Sequence, residues 1–178
     1  MNFIQQYYLK RQLNSFVAKR TEKQKSIRTL KESHSVCFFL TYDTSDKLEE
    51  LIRYISLQNK KGKIIICYLP SGKIIENKID TTCVHLITQK AIKATGKLDK
   101  QVLENIFSQH YNIFIDVDIK PDLSSLYLKS FLDADFRIGR NSEYYKYYDF
   151  TLCVNERYTI KEYINNVETY ISKLKGNL

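Results

Sequence analysis

The stretch from Asn112 to Arg140, NIFIDVDIKPDLSSLYLKSFLDADFRIGR, constrains the fold of this chain more than any other. Residues 112–117 are almost wholly apolar until Asp116, a pattern typical of a strand that helices cover on both faces. A helical segment and a second apolar run follow. The stretch therefore predicts a strand, a helix and a second strand of one parallel sheet.

The same alternation of strand and helix patterns extends along the rest of the chain. Four further apolar runs predict strands, at 36–40, 64–69, 83–87 and 150–154. Three amphipathic segments predict helices, which begin near residues 46, 99 and 159. We therefore predict an α/β fold, a three-layer Rossmann-like or flavodoxin-like domain. Its sheet is mainly parallel with five to six strands, and a long basic N-terminal helix precedes it.

The net charge of +8 is concentrated in the first 33 residues. They contain eight basic and two acidic residues, whereas residues 34–178 contain 20 basic and 18 acidic ones. Such asymmetry is typical of a near-neutral globular body with an appended polyanion-binding segment. We therefore predict a basic amphipathic helical arm over 1–33 and a single α/β domain over 34–178. The candidate nucleic-acid-binding cations of the arm are Lys10, Arg11, Lys19, Arg20, Lys23, Lys25, Arg28 and Lys31.

Three interpretations of the arm remain open. A helix over 2–31 places four apolar residues on one stripe, namely Leu9, Leu13, Phe16 and Val17. This stripe can dock on the domain and leave the lysines as a solvated face. Alternatively, the cations can bind RNA or DNA phosphates. In the third interpretation the helix binds a protein partner through the stripe, or lies on a membrane surface, which suits Phe3, Ile4, Tyr7 and Tyr8.

A second candidate site lies at the carboxyl edge of the predicted sheet, where open parallel sheets hold ligands. Polar residues follow three of the strands there, namely Asp43, Thr44, Asp116, Asp118, Gly139 and Arg140. They predict a pocket for a nucleotide or sugar phosphate, in an enzyme or a sensor. Helix capping by Asp118 or Asp122 is the favoured alternative for the acidic residues, and no metal site is predicted.

The tyrosine-rich run YYKYYD at 144–149 is a third candidate. Tyr144 and its neighbours can stack on unpaired bases while Lys146 meets phosphate. The alternative is that two of these tyrosines pack under the sheet and the others shield a partner surface or a loop.

Several classes of function are disfavoured. The sequence has no Gly-rich nucleotide loop and no nucleophile elbow, and its three histidines are far apart, so no catalytic residues and no cofactor are predicted. The four cysteines occur singly, most of them in apolar runs, which predicts buried thiols in a reducing compartment. Since no apolar run approaches about 20 residues and no secretory signal is evident, we predict a cytoplasmic protein without a transmembrane segment.

The segments NIFIDVDI, ADFRIGR and YYDFTLCV resemble a family of small bacterial α/β proteins of unknown function with a basic N-terminal helix. The resemblance implies a Rossmann-like or flavodoxin-like domain in a cytoplasmic bacterial protein. More distantly, an apolar strand ending in Asp, a helix and then Arg-Ile-Gly resemble one half of the heptose-transferring glycosyltransferases. The 178 residues contain no counterpart of the second, nucleotide-sugar domain of those enzymes.

The charge split leads to a functional hypothesis. We expect a non-catalytic binding module whose basic arm engages a polyanion, namely RNA or a ribonucleoprotein such as the ribosome. The first alternative is an enzyme or sensor with a small-molecule site at the carboxyl edge. The second is a protein-interaction or membrane-surface module that acts through the N-terminal helix.

Overall fold

The computed structural model describes residues 2–20, 27–58, 61–70, 73, 75, 82–155 and 157–176. The strands within these residues are β1 (Val36–Thr41), β2 (Lys63–Leu69), β3 (Val84–Thr88), β4 (His110–Asp116), β5 (Asp133–Gly139) and β6 (Phe150–Thr151). The helices are α1 (Phe3–Arg20), α2 (Ser45–Leu57), α3 (Lys100–Ile106), α4 (Leu123–Lys129) and α5 (Ile160–Gly176). Two short 3₁₀ segments cover Gln89–Ala91 and Ser142–Tyr147.

The six strands form one parallel sheet in the order β3-β2-β1-β4-β5-β6. This confirms the predicted α/β class and a sheet at the upper end of the predicted strand number. The order reverses between β1 and β4, as in the dinucleotide-binding Rossmann arrangement and unlike the flavodoxin order. The ends of β1 and β4 therefore form the topological switch point of the sheet.

Helices cover both faces of the sheet, so that two separate apolar cores flank it. Phe38 and Leu40 of β1 point into the core beneath α2 and α5. Cys37 and Phe39 point the other way, into the core that α1, α3 and α4 cover. This alternation along one strand is the consequence of its two-residue period. Central strands buried on both faces account for the continuous apolar runs of the sequence.

The N-terminal helix is shorter than the predicted helix over 2–31. It ends at Arg20, residues 21–26 lie outside the described residues, and residues 27–35 form a non-helical turn. Tertiary contacts explain the turn, because the amide of Leu30 donates to Glu168 Oε2 of α5 at 2.8 Å and the Leu30 side chain is buried. The last strand is also shorter than predicted, with only Phe150 and Thr151 paired.

The structure also bears on the predicted burial of the cysteines and on the prediction that no segment spans a membrane. Cys37, Cys67 and Cys83 are buried, as predicted, whereas Cys153 is exposed and follows the two paired residues of β6. None of the described helices combines the length and apolar character that crossing a membrane requires.

Candidate functional site

The carboxyl ends of β1 and β4 lie side by side at the centre of the sheet. The chain continues from β1 into α2 on one face and from β4 into α4 on the other, and ligands of such folds bind between these ends. Three polar residues occupy this place, namely Thr41 at the end of β1 and Asp116 and Asp118 at the end of β4. Two of them belong to the pocket predicted from the sequence.

Lys129 is the centre of this group. Its Nζ lies 2.7 Å from Asp116 Oδ2, 2.7 Å from Asp118 Oδ2 and 4.8 Å from the centroid of the Phe39 ring. The side chains of Lys129 and Asp116 are 2% and 1% exposed, so their ion pair is shielded from water. Lys129 is the last residue of α4, and one helix end therefore supplies the cation for both carboxylates.

Asp118 has further partners on β1 and α4. Its carboxylate accepts from the Thr41 amide at 2.7 Å, from Thr41 Oγ1 at 2.6 Å and from Ser125 Oγ at 3.2 Å. Asp122 accepts from the amide of Ser125 at 2.7 Å and caps α4. The capping alternative is therefore confirmed for Asp122, whereas Asp118 joins β1 to α4 through its hydrogen bonds. We refer to Asp116, Asp118, Lys129 and Tyr148 as the buried ion cluster.

Tyr148 completes the buried ion cluster from the far side. Its hydroxyl donates to Asp116 Oδ2, and its ring lies on Gly139 at the end of β5. A Cβ atom on Gly139 would stand 2.6 Å from Tyr148 Cγ, which is well below van der Waals contact. Gly139, predicted to line a pocket, therefore provides the space for this tyrosine ring.

We expect Gly139→Ala to destabilise the fold by about 1–3 kcal/mol, because the added methyl group forces Tyr148 away from Asp116. Urea unfolding of both proteins measures the loss. A double-mutant cycle provides the control, since the cost of Gly139→Ala should largely vanish in a Tyr148→Ala background. Equal costs in the two backgrounds would contradict this explanation.

Burial raises the pKa of the two carboxyl groups of the cluster, whereas pairing with Lys129 lowers it. Burial raises the pKa of Asp116, and the Lys129 ammonium offsets only part of that increase. For Asp118, burial acts in the same direction, but Lys129 and the hydrogen bonds from Thr41 outweigh it and lower its pKa. Burial and the adjacent Asp116 carboxylate raise the pKa of Tyr148 well above its usual value. The tyrosine is therefore a neutral donor throughout the physiological range.

Arg140 is buried next to the cluster and binds backbone carbonyls. Its guanidinium donates to the carbonyls of Val117 at 3.3 Å and Tyr158 at 2.6 Å, and stacks 5.0 Å from the Tyr163 ring centroid. Within the described residues, Arg140 Nε and the Tyr163 hydroxyl have no hydrogen-bond partner. Burial lowers the pKa of Arg140. This arginine therefore ties the loop before α5 to the end of β4.

Asp43 and Thr44 lie apart from the buried cluster, on the surface at the start of α2. The Asp43 carboxylate lies 2.5 Å from Lys47 Nζ and accepts from the Thr44 amide at 2.7 Å. The structure thus brings Asp116, Asp118, Gly139 and Arg140 together but leaves this pair exposed.

The buried ion cluster is chemically closed, because its carboxylates and its lysine neutralise one another at hydrogen-bond distance. No three His, Cys, Asp or Glu side chains of the described residues converge as metal ligands. Neither of two cavities of about 740 and 380 Å³ in the described structure is lined by Asp116, Asp118, Lys129 or Arg140. The arrangement therefore stabilises the switch point.

The third region of interest is the outer face of α1. The inner face of α1 packs along α4, and Leu9 and Leu13 are buried there. Leu9 belongs to the core that α1, α3 and α4 cover. The stripe therefore docks on the domain, as the first interpretation of the arm expects, with Phe16 and Val17 half-buried. Lys10, Arg11 and Lys19 project on exposed positions.

The other predicted cations of the arm have different positions. Arg20 is anchored, since it donates to the carbonyl of Tyr147 and pairs with Asp149. Arg28 is half-buried and Lys31 is exposed, both in the turn before β1. Lys23 and Lys25 lie outside the described residues.

The tyrosine-rich segment, residues 142–147, adjoins the carboxyl end of α1. The Tyr147 ring stacks on Phe16 with a centroid distance of 6.5 Å and an angle of 10° between the rings. Tyr144 is half-buried, whereas Lys146 is exposed and lies 5.9 Å from the ring centroid of the exposed Tyr145. Two candidates that lie more than 120 residues apart in the sequence thus become neighbours on one surface.

A lysine-rich loop adjoins the other end of α1. Gln5 Nε2 donates to the carbonyls of Ile92 and Lys93 at 3.3 and 3.2 Å, which fixes the start of α1 on this loop. Lys90, Lys93 and Lys97 are exposed there, although Lys93 also pairs with Asp99 at 3.3 Å. We refer to the exposed cations of α1, this loop and the tyrosine-rich segment as the basic face.

Sequence reasoning did not identify Lys129, Ser125 or these loop lysines, and it singled out Tyr148 only as part of the tyrosine-rich run, where packing under the sheet was the alternative. One signal for Lys129 exists, because Ser125 and Lys129 are four residues apart in a helix that is otherwise almost wholly apolar. A lysine on such a helix needs a buried counter-charge, and the acidic residues just upstream are Asp116, Asp118 and the capping residue Asp122.

Comparison with known proteins shows a family match over nearly the whole chain. The sequence model of a family of unknown function (DUF6913) matches residues 5–174, which include all six strands. No curated protein and no solved structure matches the chain.

Proposed function

The chain belongs to the DUF6913 family, whose function is unknown, and we propose that it is a non-catalytic module that binds single-stranded RNA through its basic face. The proposal includes a bacterial, cytoplasmic setting and a ribonucleoprotein partner such as the ribosome. The observation that carries it is the composition of α1, which has no acidic residue and presents three cations outward.

The surroundings of α1 extend its positive charge in both directions. The lysine-rich loop adjoins its start, and the tyrosine-rich segment with Lys146 adjoins its end. A row of separated cations suits a phosphate backbone, because each neutralised phosphate releases a counterion and contributes to affinity.

Exposed aromatic rings on the same surface favour an unpaired strand over a duplex. Phe3 and Tyr7 on α1 are 84% and 57% exposed, and Tyr145 is 60% exposed. Unpaired bases stack on such rings, whereas bases in an RNA duplex are inaccessible to them.

The test measures, by fluorescence anisotropy, how the affinity for a single-stranded RNA of about 12 nucleotides depends on salt concentration. We expect the triple variant Lys10→Gln, Arg11→Gln, Lys19→Gln to bind more weakly. We also expect its plot of log K against log salt to be shallower by about 2, because each lost phosphate contact removes about 0.7.

A matched variant controls for the overall change in charge. Arg53→Gln, Lys161→Gln, Lys173→Gln removes one arginine and two lysines from exposed positions on α2 and α5, on the opposite face of the sheet. We expect wild-type affinity from this variant. The proposal would be wrong if both triple variants lost RNA affinity to the same extent, or if the wild type bound no RNA.

A membrane surface is the second candidate, because Phe3 and Ile4 are among the most exposed apolar side chains of α1. Apolar residues followed by cations suit an anionic lipid interface. Cosedimentation with phosphatidylserine vesicles separates the two candidates, since Ile4→Ser should weaken vesicle binding but leave RNA affinity unchanged.

A further inference from the structure

The cavity of about 740 Å³ lies at the amino edge of the sheet, opposite the switch point. Four parts of the chain surround it, namely the turn before β1, the end of α2, the start of β2 and the middle of α5. Its volume falls within the range of about 300–1,000 Å³ that is usual for small-molecule sites. It is larger than the cavity of about 380 Å³ beside α1.

The cavity has a polar wall above the apolar core. Phe38 of β1 and Tyr54 of α2 adjoin it, but Phe38 is fully buried and Tyr54 is 9% exposed, so both rings belong to the core beneath the cavity. Gln58, Asn165 and Thr169 contribute amide and hydroxyl groups to the wall. Such groups can bind the hydrogen-bonding edge of a planar heterocycle.

The charged groups of the lining are predominantly basic. Lys31, Lys61 and Lys63 line the cavity, and Glu168 is the single carboxylate among the described lining residues. Glu168 already accepts the Leu30 amide at 2.8 Å. Lys63 donates to the Gln58 carbonyl at 2.7 Å, and burial lowers its pKa despite the nearby Glu168. An anion in the cavity would favour the charged form of this lysine.

We propose that this cavity binds a nucleoside monophosphate, with the base against the amide and hydroxyl groups of Gln58, Asn165 and Thr169 and the phosphate against Lys31, Lys61 and Lys63. The site is separate from the basic face, since it lies at the other side of the sheet and shares no residue with α1. Its ligand is a small molecule, whereas the RNA proposed above binds a convex surface.

Calorimetric titration of the full chain with AMP, GMP, CMP and UMP tests the site. Adenosine and inorganic phosphate alone serve as further arms, and we expect both to bind more weakly than the preferred nucleotide. The double variant Lys31→Gln, Lys61→Gln changes two exposed positions and should weaken nucleotide binding by about tenfold or more.

Two more variants keep the result interpretable. Asn165→Trp places a large ring into the cavity from an exposed position on α5 and should abolish binding without loss of fold. Lys10→Gln, Arg11→Gln should leave nucleotide affinity unchanged even if RNA binding is lost. The proposal is overturned if none of the four nucleotides binds at about 1 mM, or if Asn165→Trp binds like the wild type.

Discussion

Replacing Lys129 by methionine is expected to lower the free energy of unfolding by about 3–5 kcal/mol at neutral pH, because it leaves two buried carboxylates without their cation. Lys129 Nζ stands 2.7 Å from each of Asp116 and Asp118, and water cannot replace it at a position that is 2% exposed. Methionine preserves most of the side-chain volume, so the loss measures charge and not a cavity. Urea unfolding followed by circular dichroism provides the measurement.

The pH dependence of this variant distinguishes lost charge from lost packing. Without Lys129, burial raises the pKa of both carboxyls above their unfolded values of about 3.9. In the folded state these two carboxyls then bind protons more tightly than in the unfolded state. Their contribution to the free energy of unfolding is therefore most favourable at low pH and becomes less favourable as the pH rises. We therefore expect the deficit relative to the wild type to shrink from about pH 7 to about pH 5.

The triple variant Asp116→Asn, Asp118→Asn, Lys129→Met is the rescue control. It removes every charge of the cluster, and such replacements of buried ion groups are often neutral or stabilising. We expect it to be more stable than Lys129→Met alone. If Lys129→Met retained wild-type stability at neutral pH, the two ion pairs could not hold the switch point together.

The central strand was predictable because burial on both faces leaves a direct mark on composition. The residues between Asn112 and Asp116 are all apolar, and the structure places them in β4 with side chains in both cores. The pairing of β4 with β1 was not predictable in the same way. It joins Val36 to Ile113 across 77 residues, and no local pattern carries that information.

The switch-point residues illustrate a similar division. Asp116 and Asp118 were identified because they end an apolar run, and strand ends in such sheets converge at one edge. Their partner Lys129 was missed because a helical lysine is ordinarily solvated, and only the packing of α4 against the sheet buries this one. The sequence therefore suggested an open pocket where the fold forms a closed ion cluster.

The docking of α1 depended on a contact that lies outside the helix pattern. The spacing of Leu9 and Leu13 predicted an apolar stripe, but docking, projection and membrane contact all use the same stripe. Arg137 of β5 favours docking over the other two. It is a buried arginine whose guanidinium lies 4.9 Å from the centroid of the Phe16 ring of α1. Its role leads to the second large expected effect.

Replacing Arg137 by methionine is expected to cost about 3 kcal/mol or more, because two buried carbonyl groups lose their donor and the half-buried carbonyl of Tyr147 keeps only its bond from Arg20. The guanidinium donates to the carbonyls of Lys129 and Leu132 at 2.8 Å each and to that of Tyr147 at 3.2 Å. Burial, together with the nearby Arg20, lowers the pKa of Arg137 to about 10, so the donor remains charged at neutral pH. Urea unfolding measures the loss.

The same substitution should also loosen the carboxyl end of α1. Phe16 loses the cation beneath its ring, and Tyr147, which stacks on Phe16 and accepts from Arg20, loses its donor from β5. We expect trypsin to cleave the variant after Lys19 or Arg20 faster than the wild type, at a temperature where both remain folded. Arg157→Met, at an exposed position, is the matched control and should cleave at the wild-type rate.

The cleavage result also bears on how RNA is bound. If the basic face acts as a preformed surface, an α1 that detaches from the domain separates its cations from Lys146 and the lysine-rich loop, and the Arg137→Met variant should bind RNA more weakly. Since Arg137 is itself buried, the substitution removes no exposed charge from that face. Unchanged RNA affinity in a variant with faster cleavage would show that the charge of α1 suffices without its docked position.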